Sequence, residues 1–441
     1  MFKTIANIFR IPDLRKKILF TGLILVLYRL GSFVPIPGVN ASELSSFFES
    51  QSGGLFDLLN LFVGGNIERA SIFALGIMPY ITASIVIQLL GSIVPYFEKL
   101  RKEGADGEKK MNQITRYFTV ALAAFNGITI LVGLTNMMGA TGPVVPNPSF
   151  LFYLTGMVTL ITGTMIVMWL GEQITEFGIG NGISLIIFAG IIARYPEGFI
   201  NMFRTRFNTI GGIIQSLIAM VVMVVVTGAI IFVTEAIRKI PVQYAKRIVG
   251  RRVYGGQSTY IPLRVNTAGV IPIIFAQSIL MFPATLITLF QGGNAEAGTF
   301  WYRLRVLFSP GHWVYTIIYV GLIIFFAYFY TALVLNPTEM AENMVKYGGH
   351  IPGKKPGKKT AEYISSVLTR ITLPGAVFFA FVALMPELMT HIFKLPFYFG
   401  GTGLIIVVGV ALDTLRQIES HLVMRHYDGF MKKGKLRGRS G

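Results

Sequence analysis

Gly76-Ile77-Met78-Pro79-Tyr80-Ile81-Thr82-Ala83 and, far along the chain, Gly269-Val270-Ile271-Pro272-Ile273-Ile274-Phe275-Ala276 carry glycine, proline, isoleucine and alanine at the same offsets. Proline deletes a backbone donor and clashes with the preceding turn, and glycine lowers helix propensity, so each segment predicts a kinked or interrupted helix. Irregular backbone at membrane depth survives only where it is buried in protein or lines a wet cavity. Proline kinks also occur in ordinary membrane helices; the matched location of these two in the chain favours an interior pathway.

That location follows from the apolar runs on either side. Stretches of about 20 apolar residues predict helices near 18–37, 71–94, 117–138, 150–171, 178–195, 210–235, 265–290, 313–336, 368–390 and 400–423. The echoing segments fall in the second and seventh of these ten spans. Those positions are equivalent if the chain divides into halves of five, 1–195 and 196–423, followed by a basic tail at 424–441. An odd number of spans per half inverts the second half in the membrane, the signature of a pathway along a pseudo-twofold axis. The expected fold class is an all-α membrane protein with ten transmembrane helices in two inverted, pseudo-symmetric five-helix halves. Composition agrees: 14% of residues are charged and 53% hydrophobic, against roughly 25% charged in soluble domains. The absence of cysteine excludes disulfides, thiolate zinc sites and thiol nucleophiles.

A formal charge of +18 could suggest nucleic acid, but on a chain this apolar the placement of the charge matters more; no DNA partner is expected. With the N-terminus in the cytoplasm, 31 of the 39 basic residues fall in 1–17, 95–117, 236–264, 337–370 and 413 onward, all on one side. The remainder include Arg69, Arg194, Arg204, Arg206, Arg303 and Arg305, and the loop at 139–149 carries no charge. The positive-inside rule then puts both termini in the cytoplasm. Residues 3–30 begin like a signal peptide, yet the apolar run continues past Arg29 to Pro35-Ile36-Pro37 without a small-residue cleavage site, which favours a retained first helix.

Ionisable residues in the spans are few, and Arg29, Glu172, Glu176 and Asp413 all lie near expected ends. An ion-coupled carrier keeps a charged relay near the middle. The broken helices instead offer Ile77, Ile81 and Ile274, and apolar side chains converging in a pore make a dewetting constriction. A secondary transporter with inverted repeats is the alternative reading, since it too shows broken helices; an intramembrane enzyme is a third. Uncharged mid-spans disfavour both. Gly348 to Lys355 is spaced like a phosphate-binding loop but ends in Lys-Lys and follows a membrane helix rather than a strand, so it is rejected. GIGNG (178–182) reads as a packing or entry motif. His312, His350, His391, His421 and His426 form no metal or triad pattern. No cofactor, metal or catalytic residue is expected.

ASIFALGIMPYITASIVIQLL (70–90), MWLGEQITEFGIGNGISLIIFAG (168–190), YAKRIVGRRVYGGQSTYIPLRVNTAGVIP (244–272), FYTALVLNP (329–337) and LPFYFGGTGLIIVV (395–408) resemble the SecY family, bacterial type. Together with GSFVPIPG (31–38) they cover every part of the chain. The resemblance implies an hourglass channel for unfolded polypeptides with a lateral gate to lipid and an aliphatic ring at its waist, here Ile77, Ile81, Ile187, Ile274, Leu404 and Ile406. For any one isoleucine a lipid-facing position remains the alternative. The family places its plug in GLFDLLNLFVGGNIERAS (54–71), here Leu55, Phe56, Leu58, Leu59, Leu61 and Phe62; a short amphipathic surface helix would read the same way. Gln88 and Asn266 match polar lateral-gate positions, and a hydrogen bond between such residues is worth only about 1 kcal/mol in a membrane.

The loops at 236–264 and 337–370 carry seven and six basic residues. Positive-inside bias or anionic lipid would explain them in an ordinary membrane protein; the resemblance implies docking of the ribosome and of the SecA ATPase through Arg251, Arg252, Lys354 and Lys355. It further implies SecE and SecG as small membrane subunits, preprotein signal sequences and membrane lipid as partners, and the bacterial inner membrane as location. The family pattern Pro-Gly-x-Arg-Pro-Gly appears here as Pro352-Gly353-Lys354-Lys355-Pro356-Gly357. Lys355 lacks the planar fork of arginine, so a weaker or altered contact is expected there.

Overall fold

The computed structural model describes residues 11–50, 60, 63–140, 142–207, 209–244, 247–249, 252–254, 258–291, 300–308, 311–393 and 401–433. Each of the ten expected spans falls on a helix. The first, α1 (Pro12–Gly31), begins earlier than expected and stops short of Pro35 and Pro37. Pro12 sits in its opening turn, where a missing N–H costs nothing, whereas the later prolines cannot continue a helix. A short helix, α2 (Ala41–Ser50), follows. The second span contributes α3 (Met78–Ile93), and α4 (Pro95–Lys102) turns away from it by 95°. Next come α5 (Ala105–Thr135), α6 (Phe150–Phe177), α7 (Gly182–Arg206) and α8 (Ile210–Glu235). After the strands described below, the chain continues as α9 (Ile271–Gln291), α10 (Phe300–Leu307), α11 (Trp313–Val334), α12 (Pro337–Lys346), α13 (Lys358–Phe393) and α14 (Gly401–Lys433).

Among the described residues seven helices are long and apolar enough to cross a membrane, eight when α3 and α4 count as one span. Helix α1 is not among them because it carries Asp13, Arg15, Lys16, Lys17 and Arg29. The protein is a mostly helical membrane protein, with five of the ten expected spans before residue 207 and five after.

The two long basic loops are not irregular. Strand β1 (Ile237–Tyr244) pairs antiparallel with β4 (Ser258–Arg264), with Ile240 opposite Ile261, and with the short β5 (Gly349–His350), with Gln243 opposite His350. Between β1 and β4 a smaller hairpin joins β2 (Arg247–Val249) to β3 (Arg252–Tyr254). In β1 the inward residues are Ile240 and Val242, and their neighbours Lys239, Pro241 and Gln243 are exposed, the period of two of a half-buried strand. With Leu263, Met344, Ile351, Ile364 and Leu368 they form a core that ties both loops to α12 and the start of α13. This sheet was not legible in the sequence, because β1 and β5 lie about 100 residues apart and the hydropathy of each strand is modest.

The chain divides into two compact units. One is built on Met1–Asn201 and also takes Thr285–Tyr302 and Ile406–Gly441; the other comprises Met202–Ala284 and Arg303–Ile405. The first unit has a core of Ile36, Leu44, Val63, Ile67, Leu131 and Leu160 among others. In the second, α13 packs against α8 and α11.

Candidate functional site

Both sequence echoes are breaks rather than kinks. Gly76 and Gly269 adopt φ of +54° and +65°, a left-handed conformation that costs a residue with a Cβ but not glycine. Pro79 and Pro272 then occupy the second positions of α3 and α9, where the absent N–H has no intrahelical partner to lose. The helices restart alike: the Ile81 N–H donates to the Ile77 carbonyl at 3.1 Å, and the Ile274 N–H to the Val270 carbonyl at 3.3 Å. The same local structure therefore recurs once in each unit.

Ahead of the first break the chain is pinned. Asn60 is fully buried; its Oδ1 accepts from the Ile67 and Glu68 N–H groups, both at 3.2 Å, and its Nδ2 donates to Glu68 Oε2 at 2.9 Å. Arg194 on α7 donates to the same Glu68 oxygen at 3.1 Å, and Arg29 at the end of α1 donates to the Gly64 carbonyl at 3.1 Å. Gly64, with φ +72°, lies so near α7 that a Cβ there would stand 2.6 Å from the Gly190 Cα. The guanidinium groups of Arg29 and Arg69 lie 5.4 and 4.7 Å from the centroid of the Phe33 ring. Backbone bonds complete the attachment: Ile36 N–H to the Ala70 carbonyl at 2.7 Å and Ile72 N–H to the Val34 carbonyl at 2.9 Å. Ala70, buried at φ +48°, is the one non-glycine residue with positive φ among the described residues, a conformation that marks local strain. Sequence reasoning had placed Arg69 and Arg194 only as basic residues left over from the cytoplasmic count. Asn60, Glu68 and the Gly64–Gly190 approach were missed, and the Gly64-Gly65 pair shortly before the charged Glu68-Arg69 was the available signal.

The expected plug residues Leu55, Phe56, Leu58, Leu59, Leu61 and Phe62 lie outside the described residues. All six expected ring residues are buried, unlike exposed aliphatics such as Ile210 (80% exposed) and Val224 (72% exposed) on α8. Ile77 precedes α3 and Ile81 lies one turn on, hence on the same face. Ile187 is on α7 and Ile274 in the first turn of α9. Leu404 and Ile406 stand two apart on α14, about 200° around a helix. Leu404 keeps 9% exposure and Ile406 none.

Gln88 on α3 donates to Ser84 Oγ at 3.0 Å, one turn back on its own helix. Asn266 lies in a small cleft of the second unit with Thr267, Gly269, Thr331, Thr372 and Gly375. Of the expected docking residues, Arg251 lies outside the described residues and Arg252 is in β3. Lys354 and Lys355 are exposed between β5 and α13, on the same body as the exposed Arg238, Lys239, Lys346, Lys358 and Lys359.

GIGNG proves to be a packing motif. Its backbone N–H groups are taken by side-chain oxygens from three helices: Ile179 by Thr21 of α1 at 3.1 Å, Gly180 by Gln417 of α14 at 2.9 Å, and Gly182 by Thr175 of α6 at 2.9 Å. Glu172, one of the few acidic groups in a span, accepts two bonds from Arg116 of α5 at 3.2 and 2.8 Å. No group of three or more His, Asp or Glu side chains that could hold a metal occurs among the described residues.

Comparison with known proteins agrees with this arrangement. A family model described as SecY matches residues 71–415. The protein translocase subunit SecY of Escherichia coli (strain K12) is 49% identical over 428 residues, covering 97% of this chain and 96% of that one. The subunit of the same name from Haemophilus influenzae is 46% identical over 427 residues, with 97% and 96% covered. Among solved structures, one described as a protein conducting channel superposes with a TM-score of 0.65 at 18% identity, covering 93% of each chain. Sec61 in a canine ribosome-channel complex gives 0.61 at 17%, again covering 93% of each; likeness at this identity speaks for the fold alone. By sequence, over nearly its whole length, the chain belongs to the SecY family.

Proposed function

We propose that this chain is the central channel subunit of a protein translocase, through which unfolded secretory polypeptides cross the membrane and transmembrane segments leave sideways into lipid. The observation that carries this reading is the repeated break at Gly76-Pro79 and Gly269-Pro272, in a chain whose relatives bear the name protein translocase subunit SecY. Non-helical backbone at membrane depth belongs beside protein or water, and the groups it presents here are isoleucines. An uncharged aliphatic waist passes any polypeptide sequence while resisting ions by dewetting.

The waist is assigned to Ile77, Ile81, Ile187, Ile274, Leu404 and Ile406. The plug is assigned to Leu55–Phe62 and the lateral gate to Gln88 and Asn266. Residues 1–195 and 196–423 are the two halves of the clamshell. Translocation of this kind needs no covalent chemistry from the channel, so the subunit is not an enzyme, and the energy comes from a bound SecA ATPase or from the ribosome. The basic body built from 236–264 and 337–370 is the docking surface for both, and SecE and SecG complete the membrane complex. The chain resides in the bacterial inner membrane with both termini cytoplasmic.

The absence of cysteine makes the decisive experiment clean. A single cysteine at Ile81 or Ile274 is the sole thiol in the chain, and a preprotein stalled in transit should crosslink to both positions and only while stalled. A small-solute carrier would give no such adduct.

A further inference from the structure

The docking loop between β5 and α13 holds two adjacent lysines in different states. The Lys354 N–H donates to the Ile351 carbonyl at 3.1 Å, and its ammonium folds back over the Tyr363 ring, 5.1 Å from the centroid. The Lys355 carbonyl accepts from the buried Thr360 hydroxyl at 2.9 Å, which fixes its main chain, while its side chain is exposed and makes no ion pair among the described residues. Ammonium groups over aromatic faces are held there by the ring quadrupole.

We infer that Tyr363 and Thr360 are positioning residues that withhold Lys354 and present Lys355 as the loop's phosphate contact to RNA. This rests on the docking reading above and goes beyond it, since neither residue is part of the Pro-Gly motif. Charge favours a polyphosphate: residues 236–264 carry seven basic and no acidic side chains, and 337–370 carry six basic and three acidic. The exposed Tyr347 on the same body adds a ring face on which a base stacks. Packing explains the division of roles. Tyr363 is partly buried against the core of Ile240, Met344 and Ile364, so its ring stays in place and Lys354 comes to it.

The test is binding of non-translating ribosomes to the full-length chain in nanodiscs, measured across a salt series. Each lost phosphate contact lowers the slope of log affinity against log salt by about one unit. Lys355→Met should lose about that unit, and Lys354→Met should lose none. In a Tyr363→Leu background, which keeps the packing and removes the ring, Lys354→Met should now cost about a unit; Tyr363→Phe should behave as the parent. Equal losses from the two lysines in the parent, or a silent Lys354→Met in the Tyr363→Leu background, would overturn the inference while leaving the docking surface intact. If neither lysine moves the slope and binding of an acidic soluble protein is also unchanged, the docking reading fails at this loop and takes the inference with it. If ribosome binding is unchanged by Lys355→Met but binding of an acidic soluble protein is lost, the loop reads carboxylates and the RNA assignment is wrong.

Discussion

Replacing Gly64 with alanine probes the pinned segment ahead of the first break. Two costs add. A left-handed φ of +72° costs a residue with a Cβ about 1–2 kcal/mol, and the new methyl would stand 2.6 Å from the Gly190 Cα. Backbone on both sides cannot yield as a side chain does, so forcing the two apart adds about 1–3 kcal/mol. Gly348 supplies the control: its φ is +70°, yet a Cβ there meets nothing within 4 Å. Gly348→Ala should therefore cost the conformational part alone. The difference between the variants, about 1–3 kcal/mol, corresponds to roughly 5- to 150-fold in an unfolding equilibrium constant. Equilibrium unfolding of each variant in mixed micelles measures it. Resting ion conductance in planar bilayers should also rise for Gly64→Ala alone, because the displaced segment adjoins Gly76. Equal destabilisation by the two substitutions would refute the reasoning, since it would leave the close approach of Gly64 to Gly190 without energetic weight.

Glu68→Gln should destabilise by about 1–3 kcal/mol, because it leaves a partly buried guanidinium without its anion. The lower end is expected, as the Arg194 and Glu68 side chains keep 21% and 27% exposure and water screens the pair. A double-mutant cycle with Arg194→Gln should show coupling of at least about 0.5 kcal/mol, and strict additivity would dissolve the pair. Asparagine at Leu404 should wet the closed pore and raise single-channel conductance, as should asparagine at Ile274. The same change at Ile406 should leak as well; unchanged conductance from either α14 variant would remove that residue from the waist.

Much of the fold was legible because its determinants are local. Ten apolar runs, the side on which basic residues gather, and two Gly-Pro interruptions are properties of segments under about 25 residues, read by a solvent that rejects unpaired backbone. Those runs alone gave the count of spans and singled out the second and seventh. Element ends were less legible: α1 could start at Pro12 and fold through Arg15, Lys16 and Lys17 because charged residues are tolerated where a helix leaves the membrane. In the candidate ring the family motif offered Leu404 and Ile406 together, and only the helical state of α14 set them on different faces.

What the sequence by itself determined is the solvent and the places where helices must break, since hydropathy and proline act within a turn or a span. The tertiary structure decided which residues meet. Asn60 with Glu68 and Arg194, Gly64 with Gly190, Thr21 and Gln417 with the GIGNG loop, and β1 with β5 are pairings set by packing across large separations in sequence. No local period announces them, because a hydrogen bond or a backbone approach depends on where the partner's chain passes, and that is fixed only when the bundle has formed.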